Sequence, residues 1–406
     1  MSYPILVSSA VLASLVCVWL LSSSDAAVSH NFAVIPVSRV SPTAAHSVKK
    51  IRPLHAYEQS CTSNILSVSV GFVALVSLRL FGHAQKLQAR RSRLRHSSGR
   101  ISCTACRAGP VLTLGTRASP LALAQAYEAK RRLGEAYPEL AAEDAIEIKR
   151  ISTTGDEQLD VSLAEIGGKG LFTRELDEAL MSKEVDFCVH STKDVPTQLI
   201  EHTELCTMLP REDTRDVLIV RDGTSANIED LPAGSIIGTA SLRRQAQIYA
   251  KNPNVKCINF RGNVQTRLRK LEAGVVDATL LAYAGLKRMG MEKHATRVLP
   301  WEEMLPAIAQ GAISFQCRSD DEKTKQFLYP LTHTPTVQAV TCERAFLATL
   351  DGNCKTPIAG QAYLREDGQL HFQGLVSSPD GMSVFRVERI GSPKDAEAMG
   401  QDAGLE

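Results

Sequence analysis

Acidic residues are almost absent from the first 110 residues of this 406-residue chain, which hold twelve Lys and Arg but only Asp25 and Glu58 as acids. Removing these from the totals of 46 basic and 44 acidic residues leaves 34 basic and 42 acidic ones, about −8, for the remainder. Proteins that bind nucleic acid usually present a basic face to it. The acidic body therefore argues against a nucleic-acid partner.

Two common kinds of site also lack their sequence signatures. The ten cysteines are scattered, and the CxxC of Cys103 and Cys106 has no second pair with which to form a zinc site. We therefore expect free thiols in a reducing compartment and no metal. Residues 167–170 (GGKG) have neither the spacing nor the following hydroxyl of a phosphate loop, which excludes a nucleoside triphosphate site.

The N-terminal segment has the features of a targeting sequence. Residues 4–21 are an apolar run followed by small residues, typical of a signal peptide spanning 1–27. Residues 28–109 have transit-peptide character, with a second apolar run at 65–81 and an Arg-rich stretch at 86–100. This order resembles the bipartite presequences of algae with complex plastids and predicts delivery to the plastid stroma. The alternative is a two-span membrane anchor.

From residue 111 onward, strand and helix patterns alternate. Residues 111–116, 146–151 and 185–190 have strand character, and residues 171–183 form an amphipathic helix pattern. Ser119 and Pro120 give a helix start directly after the first strand. Alternation of this kind predicts an α/β fold, with a parallel sheet covered by helices on both faces.

The pattern occurs twice. Residues 235–252 (SIIGTASLRRQAQIYAKN) echo residues 112–130 (LTLGTRASPLALAQAYEAK), which predicts two related, doubly wound lobes resembling periplasmic binding proteins. The expected domains are residues 110–212 with about 306–330, residues 213–305, and a small α+β domain at 331–406. In that domain we expect a helix at 344–350 and two strands at 369–376 and 382–390. The first lobe alone has an insertion, residues 152–170, at the carboxyl end of a strand, where such sheets bind ligands; we expect a mobile active-site loop.

Basic residues recur at equivalent strand-to-helix turns of both lobes, and they run against the acidic background. They are Arg117, Lys193, Arg243, Arg244, Arg261 and Arg267. Paired arginines beside helix N-termini suit bidentate carboxylate recognition, so the expected ligand is a polyanion held between the lobes. The alternatives are solvated surface charges and a binding protein without catalysis, because fold does not imply function.

Two further residues have side chains suited to chemistry. Asp156 lies in the inserted segment, where a carboxylate among arginines stays ionised and can shuttle protons or stabilise a cation. Cys354 lies in a loop beside Lys355 and is a candidate nucleophile or attachment point. Taken alone, Asp156 is better explained by an ordinary Gly-Asp turn, and Cys354 by a structural thiol.

Ten segments together resemble the porphobilinogen deaminase family, across about residues 111–400. They are GTRASPLALAQA (115–126), STTGD (152–156), IGGKGLFTRELD (166–177), VHSTKDVP (189–196), REDTRD (211–216), GTASLRRQ (238–245), FRGNVQTRL (260–268), LAYAGLKRMG (281–290), LPAIAQGAI (305–313) and LDGNCKTPIAG (350–360). The resemblance implies head-to-tail joining of four porphobilinogens to the linear tetrapyrrole hydroxymethylbilane, with loss of four ammonia molecules. It implies no metal and no nucleotide, and a monomer that is free of the membrane in its mature form.

The resemblance also assigns residue roles. It implies that Cys354 carries a dipyrromethane cofactor through a thioether, and that Asp156 acts on pyrrole nitrogens, protonates the leaving ammonia and stabilises the azafulvene cation. The residues implied to assist catalysis or to bind cofactor and substrate are Lys169, Lys193, Asp194, Ser241, Arg243, Arg244, Arg117, Ser119, Arg261, Arg267 and Arg288.

Two departures from the family qualify this assignment. Glu165 stands where many bacterial relatives have lysine, so no role is carried to that position. Family members usually run further than Glu406, which predicts a third domain that is shortened at its C-terminus. A degenerate paralogue that keeps the fold without the activity is a further alternative.

Overall fold

The computed structural model describes residues 110–157, 170–222, 227–352 and 356–406. The predicted signal and transit segments, the Cys103–Cys106 motif, most of the inserted loop, Lys169 and Cys354 lie outside the described residues. Among the described residues, no helix has the length and apolar character needed to cross a membrane.

The described residues contain thirteen strands and nine α-helices. The strands are β1 Leu112–Arg117, β2 Ile146–Ile151, β3 Phe187–Ser191, β4 Thr203–Met208, β5 Asp216–Val220, β6 Ile236–Gly238, β7 Lys256–Ile258, β8 Ala278–Ala282, β9 Arg297–Val298, β10 Ile313–Arg318, β11 Ile358–Leu364, β12 Leu370–Ser377 and β13 Val384–Gly391. The helices are α1 Pro120–Ala136, α2 Thr154–Glu157, α3 Arg174–Met181, α4 Leu242–Lys251, α5 Val264–Glu272, α6 Tyr283–Arg288, α7 Glu322–Leu328, α8 Thr334–Thr349 and α9 Ala396–Leu405.

The two lobes have sheets with the same strand order. Lobe 1 is β2-β1-β3-β10-β4 and lobe 2 is β7-β6-β8-β5-β9, so each strand of one lobe has a counterpart in the other. In each sheet the first three strands are parallel and the fourth, β10 or β5, is antiparallel to both of its neighbours. The two predicted lobes are therefore confirmed, whereas the expectation of wholly parallel sheets is wrong, because the fourth strand enters each sheet from the opposite lobe.

Two crossing segments, residues 209–215 and 299–312, join the lobes. They touch where the amide of Glu212 donates a hydrogen bond to the carbonyl oxygen of Gly311 over 3.2 Å. Gly311 has φ +85°, and a Cβ there would lie 2.5 Å from the carbonyl oxygen of Glu212. A side chain at this position would force the segments apart, so glycine is needed at the hinge.

Each lobe has its own apolar core under the cleft. In lobe 1, Leu114, Phe187 and Phe315 are fully buried, and the two phenyl rings lie 5.5 Å apart. In lobe 2, Leu218 and Leu280 are equally buried on neighbouring strands. These cores fix the carboxyl ends of the strands, and therefore the turns that carry the basic residues.

Domain 3 is a three-stranded antiparallel sheet, β11-β12-β13, covered by α8 and α9. Phe346 of α8 packs on Phe372 of β12 with ring centroids 5.0 Å apart. The α+β prediction is confirmed, but the helix begins at Thr334 rather than at residue 344, and β11 was not foreseen. Helix α8 is buried on several sides, so its sequence lacks the single apolar stripe by which a surface helix is recognised.

Domain 3 contacts both lobes. The guanidinium of Arg211, on the first crossing segment, pairs with both carboxylate oxygens of Glu343, which is fully buried, at 2.6 and 2.9 Å. Arg344 donates to the carbonyl oxygens of Val195 and Pro196 in lobe 1 at 3.0 and 2.6 Å. On the other side, Gly381 in the β12–β13 turn lies directly against the backbone of α4 in lobe 2. The domain therefore spans the hinge.

Candidate functional site

The first helix of each lobe begins at a serine that closely follows the carboxyl end of a sheet strand. Ser119 caps α1 by accepting the amide of Ala122 at 3.3 Å, and Ser241 caps α4 by accepting the amide of Arg244 at 3.4 Å. A capped helix start leaves further amides and the positive end of the helix dipole available to an anion. The repeat seen in the sequence is thus a repeat of two potential anion-binding helix starts.

In lobe 1, Arg117 gathers two carboxylates. Its Nε donates to Asp156 Oδ2 at 2.9 Å, a second guanidinium nitrogen bonds the other oxygen of Asp156, and a third donates to Asp194 at 3.2 Å. The guanidinium also lies over the ring of Phe172, with 4.2 Å to the ring centroid. The loop residue Asp156 is therefore fixed in place by a strand residue.

Asp156 is held in its ionised form. Burial alone would raise the pKa of this carboxyl, but the hydrogen bonds and charge of Arg117, the Thr153 hydroxyl at 2.8 Å and the charge of Arg261 outweigh burial and keep the pKa below its usual value. A fixed carboxylate of this kind can offset a positive charge that develops on a substrate.

In lobe 2, Arg243 and Arg244 share one buried carboxylate, Asp216 at the start of β5. Arg243 donates to Asp216 Oδ2 at 2.8 Å, and Arg244 donates to both oxygens at 3.1 and 2.8 Å. Burial opposes ionisation of Asp216, but the two guanidinium charges outweigh it and hold its pKa far below the usual range. The pair of arginines is thus positioned as one rigid unit.

Lys193 and Gln310 connect this unit to lobe 1. Lys193 Nζ lies 3.4 Å from Gln310 Oε1, and Gln310 Nε2 donates to Asp216 Oδ1 at 2.8 Å. Burial lowers the pKa of Lys193 to about 8; Asp194 and Asp216 oppose this change, whereas Arg244 and Arg243 reinforce it. An anion bound beside this amine would favour its charged form and raise the pKa again.

Arg261 and Arg267 complete the cationic wall from lobe 2. Arg261 donates to the carbonyl oxygen of Gly155 in lobe 1 at 3.0 Å, and Arg267 donates to the carbonyl oxygen of Gly262 at 2.9 Å. Burial, together with the neighbouring charges of Arg244 and Arg261, lowers the pKa of Arg267 to about 10. Burial is the larger cause, and the smaller contribution of Arg244 and Arg261 reflects positive charges that lie close together.

The remaining predicted residues lie elsewhere. Arg288 donates to the carbonyl oxygen of Gly311 at 2.7 Å, so it sits at the hinge. Burial lowers its pKa to about 10, and the charges of Glu212 and Glu128 oppose this. The positions of Lys169 and Cys354 lie outside the described residues, so their predicted roles stay predictions.

Two residues of this site escaped the sequence reasoning, Asp216 and Gln310. Both lie within segments of the family resemblance, REDTRD and LPAIAQGAI, but neither sits at a strand-to-helix turn. A buried acid beginning an otherwise apolar strand, residues 216–220, was the available signal, since acids are rarely fully buried unless paired.

The charges of the cluster are unbalanced. Six cations face three carboxylates, Asp156, Asp194 and Asp216; the cations are Arg117, Lys193, Arg243, Arg244, Arg261 and Arg267. Among the described residues, Nε of the buried Arg243 has no hydrogen-bond partner. A group that brings several carboxylates would satisfy both deficits. Fold and site together define a two-lobed α/β protein with a cationic cluster beside a fixed carboxylate.

Comparisons with known proteins identify the family. The description "Porphobilinogen deaminase, dipyromethane cofactor binding domain" matches residues 112–326, and "Porphobilinogen deaminase, C-terminal domain" matches residues 337–406. A chloroplastic porphobilinogen deaminase of Oryza sativa subsp. japonica is 56% identical over 73% of this chain and 83% of its own length. The porphobilinogen deaminase of Nitrobacter hamburgensis is 50% identical over 72% of this chain and 92% of its own. The chain belongs to the porphobilinogen deaminase family.

Solved structures with a similar arrangement include the periplasmic aliphatic sulphonate-binding protein of Escherichia coli. It is 14% identical and covers 59% of this chain and 70% of its own, with a TM-score of 0.32.

Proposed function

We propose that this chain joins four porphobilinogens head to tail and releases hydroxymethylbilane. At each addition the aminomethyl carbon of one porphobilinogen loses ammonia and bonds to the free α-carbon of the preceding ring, which loses a proton. Water then adds to the methylene carbon of the first porphobilinogen to be joined. The bond from that carbon to the primer breaks, and a proton goes to the freed α-carbon, which releases hydroxymethylbilane. The observation that supports this most directly is the ionised carboxylate of Asp156, fixed by Arg117 inside a surplus of cations.

The dipyrromethane cofactor fits the cationic cluster. Its acetate and propionate groups are the partners that the cluster lacks, and we propose that Lys193, Arg243, Arg244 and the helix start at Ser241 hold them. When bound, the cofactor supplies the free pyrrole α-carbon that accepts the first substrate. Cys354 follows the end of α8 and precedes β11, and we propose its thiolate as the attachment point.

Asp156 is proposed to handle the protons of each addition. Its carboxylate offsets the positive charge that develops on porphobilinogen as ammonia leaves, and accepts or returns a proton at the pyrrole nitrogen. Because Arg117 is occupied by Asp156 and Asp194, we assign it the orientation of Asp156 first and the binding of substrate second.

Substrate carboxylates would then be held by Ser119, Arg261 and Arg267. We keep Arg288 as a substrate-binding residue that becomes available if its hydrogen bond to Gly311 opens. Lys169 and Asp194 remain proposed as a loop lysine and as a cofactor-binding acid.

Intact-protein mass spectrometry tests the proposal. The protein without its first 107 residues is incubated with porphobilinogen and compared with its Cys354→Ser variant. We expect an adduct of two pyrrole rings on the native chain alone, which grows by one ring at a time with more substrate. A folded native chain that stays unmodified would leave a binding protein or an inactive paralogue as the better description.

We also propose a plastid location. Relatives at 56% identity from rice and pea are named chloroplastic, and the N-terminal 109 residues have presequence character. A complex plastid, reached through a bipartite presequence that leaves a membrane-free monomer, is the finer proposal. A fluorescent fusion of residues 1–109 expressed in a diatom should accumulate inside the plastid; cytosolic fluorescence would contradict the targeting function.

A further inference from the structure

Asp216 lies where the hinge meets the cationic cluster. It is the first residue of β5, directly after the first crossing segment, and it is fully buried. Its two oxygens accept hydrogen bonds from Arg243, Arg244 and Gln310. One carboxylate thus fixes three side chains that come from two different parts of the chain.

Gln310 carries the connection across the hinge. It lies on the second crossing segment, one residue before Gly311, and is fully buried. Its Nε2 donates to the carbonyl oxygen of Thr214 at 2.7 Å and to Asp216 Oδ1 at 2.8 Å, and its Oε1 faces Lys193 Nζ at 3.4 Å. The hydrogen-bonded series Arg243–Asp216–Gln310–Lys193 therefore runs from lobe 2 to lobe 1 through Gln310 of the second crossing segment, which also bonds Thr214 of the first.

We propose that Asp216 and Gln310 are positioning residues that set Lys193, Arg243 and Arg244 as one preformed carboxylate receptor across the hinge. This rests on the proposed cofactor-binding role of those three cations. Neither Asp216 nor Gln310 needs to touch the ligand, since each acts through the cations that it holds.

The hydrogen-bond geometry favours this role over simple structural support. The guanidinium of Arg243 is fixed by Asp216 and by the carbonyl oxygen of Leu305, each at 2.8 Å, while its Nε keeps no partner among the described residues. Arg244 is fixed in the same way by Asp216 and the carbonyl oxygen of Leu280 at 2.9 Å. Fixing the donors before the ligand arrives removes an ordering cost from binding.

The pKa of Lys193 should be sensitive to its contact with Gln310. The charged groups that face it are Asp194 from its own turn, Asp216 from β5, and Arg243 and Arg244 from α4. Gln310 is the neutral group between Lys193 and Asp216. A change at residue 310 should therefore alter the ionisation of Lys193, which can be measured without any reaction taking place.

The experiment measures competitive acetylation of Lys193 against pH in the unprimed Cys354→Ser protein, read by peptide mass spectrometry. Gln310→Glu places a negative charge beside the amine and should raise the labelling midpoint by about one pH unit or more. Gln310→Met removes the acceptor and should lower it. Gln316→Met is the matched control, because Gln316 is equally buried in lobe 1 but bonds Asp177 and Thr203. In this variant the labelling midpoint of Lys193 should equal that in the protein with the native Gln316.

Primer assembly is measured in parallel on chains that keep Cys354. Gln310→Met should slow it about tenfold, as expected when a hydrogen bond to a charged group is lost, whereas Gln316→Met should not slow it. Circular dichroism confirms folding, and the isosteric Gln310→Glu decides the matter alone if Gln310→Met does not fold. Unchanged midpoints in both Gln310 variants would overturn the inference.

The two proposals fail differently. If Lys193→Met and Arg243→Leu still load primer at the native rate, the cofactor-binding role itself is wrong. If those two variants are defective but the Gln310 variants behave like native protein, only the positioning role is wrong.

Discussion

A guanidinium nitrogen of Arg261 in lobe 2 lies 3.0 Å from the carbonyl oxygen of Gly155 in lobe 1. The neighbouring residue is Asp156, so the opposite lobe contacts the backbone that carries the proposed acid. Gly155 is itself confined, because a Cβ there would lie 2.3 Å from the ring of Phe172. The position of Asp156 is thus set by both lobes, and contacts across the cleft should influence chemistry in lobe 1.

Replacing Asp156 with Asn should leave a folded, primed protein that elongates about 10²- to 10⁴-fold more slowly, the usual contribution of a general acid or base. Single-turnover assays on the primed protein measure this. Asp277→Asn in lobe 2 is the control, since Asp277 bonds Arg221 and the amide of Ile236 away from the cluster. Native turnover in the Asp156 variant would remove the role we assign to it.

Replacing Arg243 with Leu should block primer assembly. Asp216 would keep Arg244 as its partner, but the receptor would lose one of its fixed cations. Intact mass after incubation with porphobilinogen measures loading on Cys354. Arg297→Leu, which breaks an ion pair with Glu303 near β9, serves as control and should load normally. A fully primed Arg243→Leu protein would contradict the cleft assignment.

Breaking the pair of Arg211 and Glu343 should destabilise the junction with domain 3. Both side chains are largely buried, and removing one partner of such a pair costs about 3–5 kcal/mol. Urea unfolding of Glu343→Gln should show this loss. The exposed pair of Arg365 and Asp367 offers the comparison, because Asp367→Asn should change the free energy of unfolding by less than about 1 kcal/mol. Equal effects of the two substitutions would argue against a structural role of the buried pair.

Primer assembly on the unprimed protein should slow as pH rises through about 8, because the Lys193 amine loses its charge there. Stability should run the other way. The ordinary lysine pKa is 10.5, so between about 8 and 10.5 the unfolded chain binds a proton that the folded protein has released, and the free energy of unfolding rises with pH. Urea titrations at pH 8 and pH 10 measure this, with Lys193→Met as the reference for other groups. A native-minus-variant difference that falls over this window would contradict the lowered pKa.

Much of the lobe architecture could be predicted because it is local and repeated. A serine followed by a helix pattern places Ser119 and Ser241 at helix starts without any long-range information, and the internal repeat then pairs the lobes. The antiparallel direction of β5 and β10 could not be predicted, because it depends on which lobe the chain has just left. Pro335 in the first turn of α8 was a usable signal for an earlier helix start.

The cluster was predictable in its charge but not in its geometry. Arginines at equivalent turns indicate a common cleft, whereas the partner of Arg243 at Asp216 lies 27 residues away and the partner of Asp216 at Gln310 lies 94 residues away. A glutamine among apolar residues carries no pattern of its own. The positioning role that we propose for Gln310 follows only from its contacts where the two crossing segments meet.

The insertion that carries Asp156 occurs in lobe 1 alone; in lobe 2, β7 ends at Ile258 and α5 begins at Val264 with no such segment between them. The serine-capped helix starts therefore occur in both lobes, whereas Asp156 has no counterpart in lobe 2. In the function we propose, the one carboxylate of Asp156 serves all four condensations, so each joined ring has to move away from Asp156 before the next porphobilinogen is added. The number of additions would then be limited by the space and the positive charge that remain for the growing product.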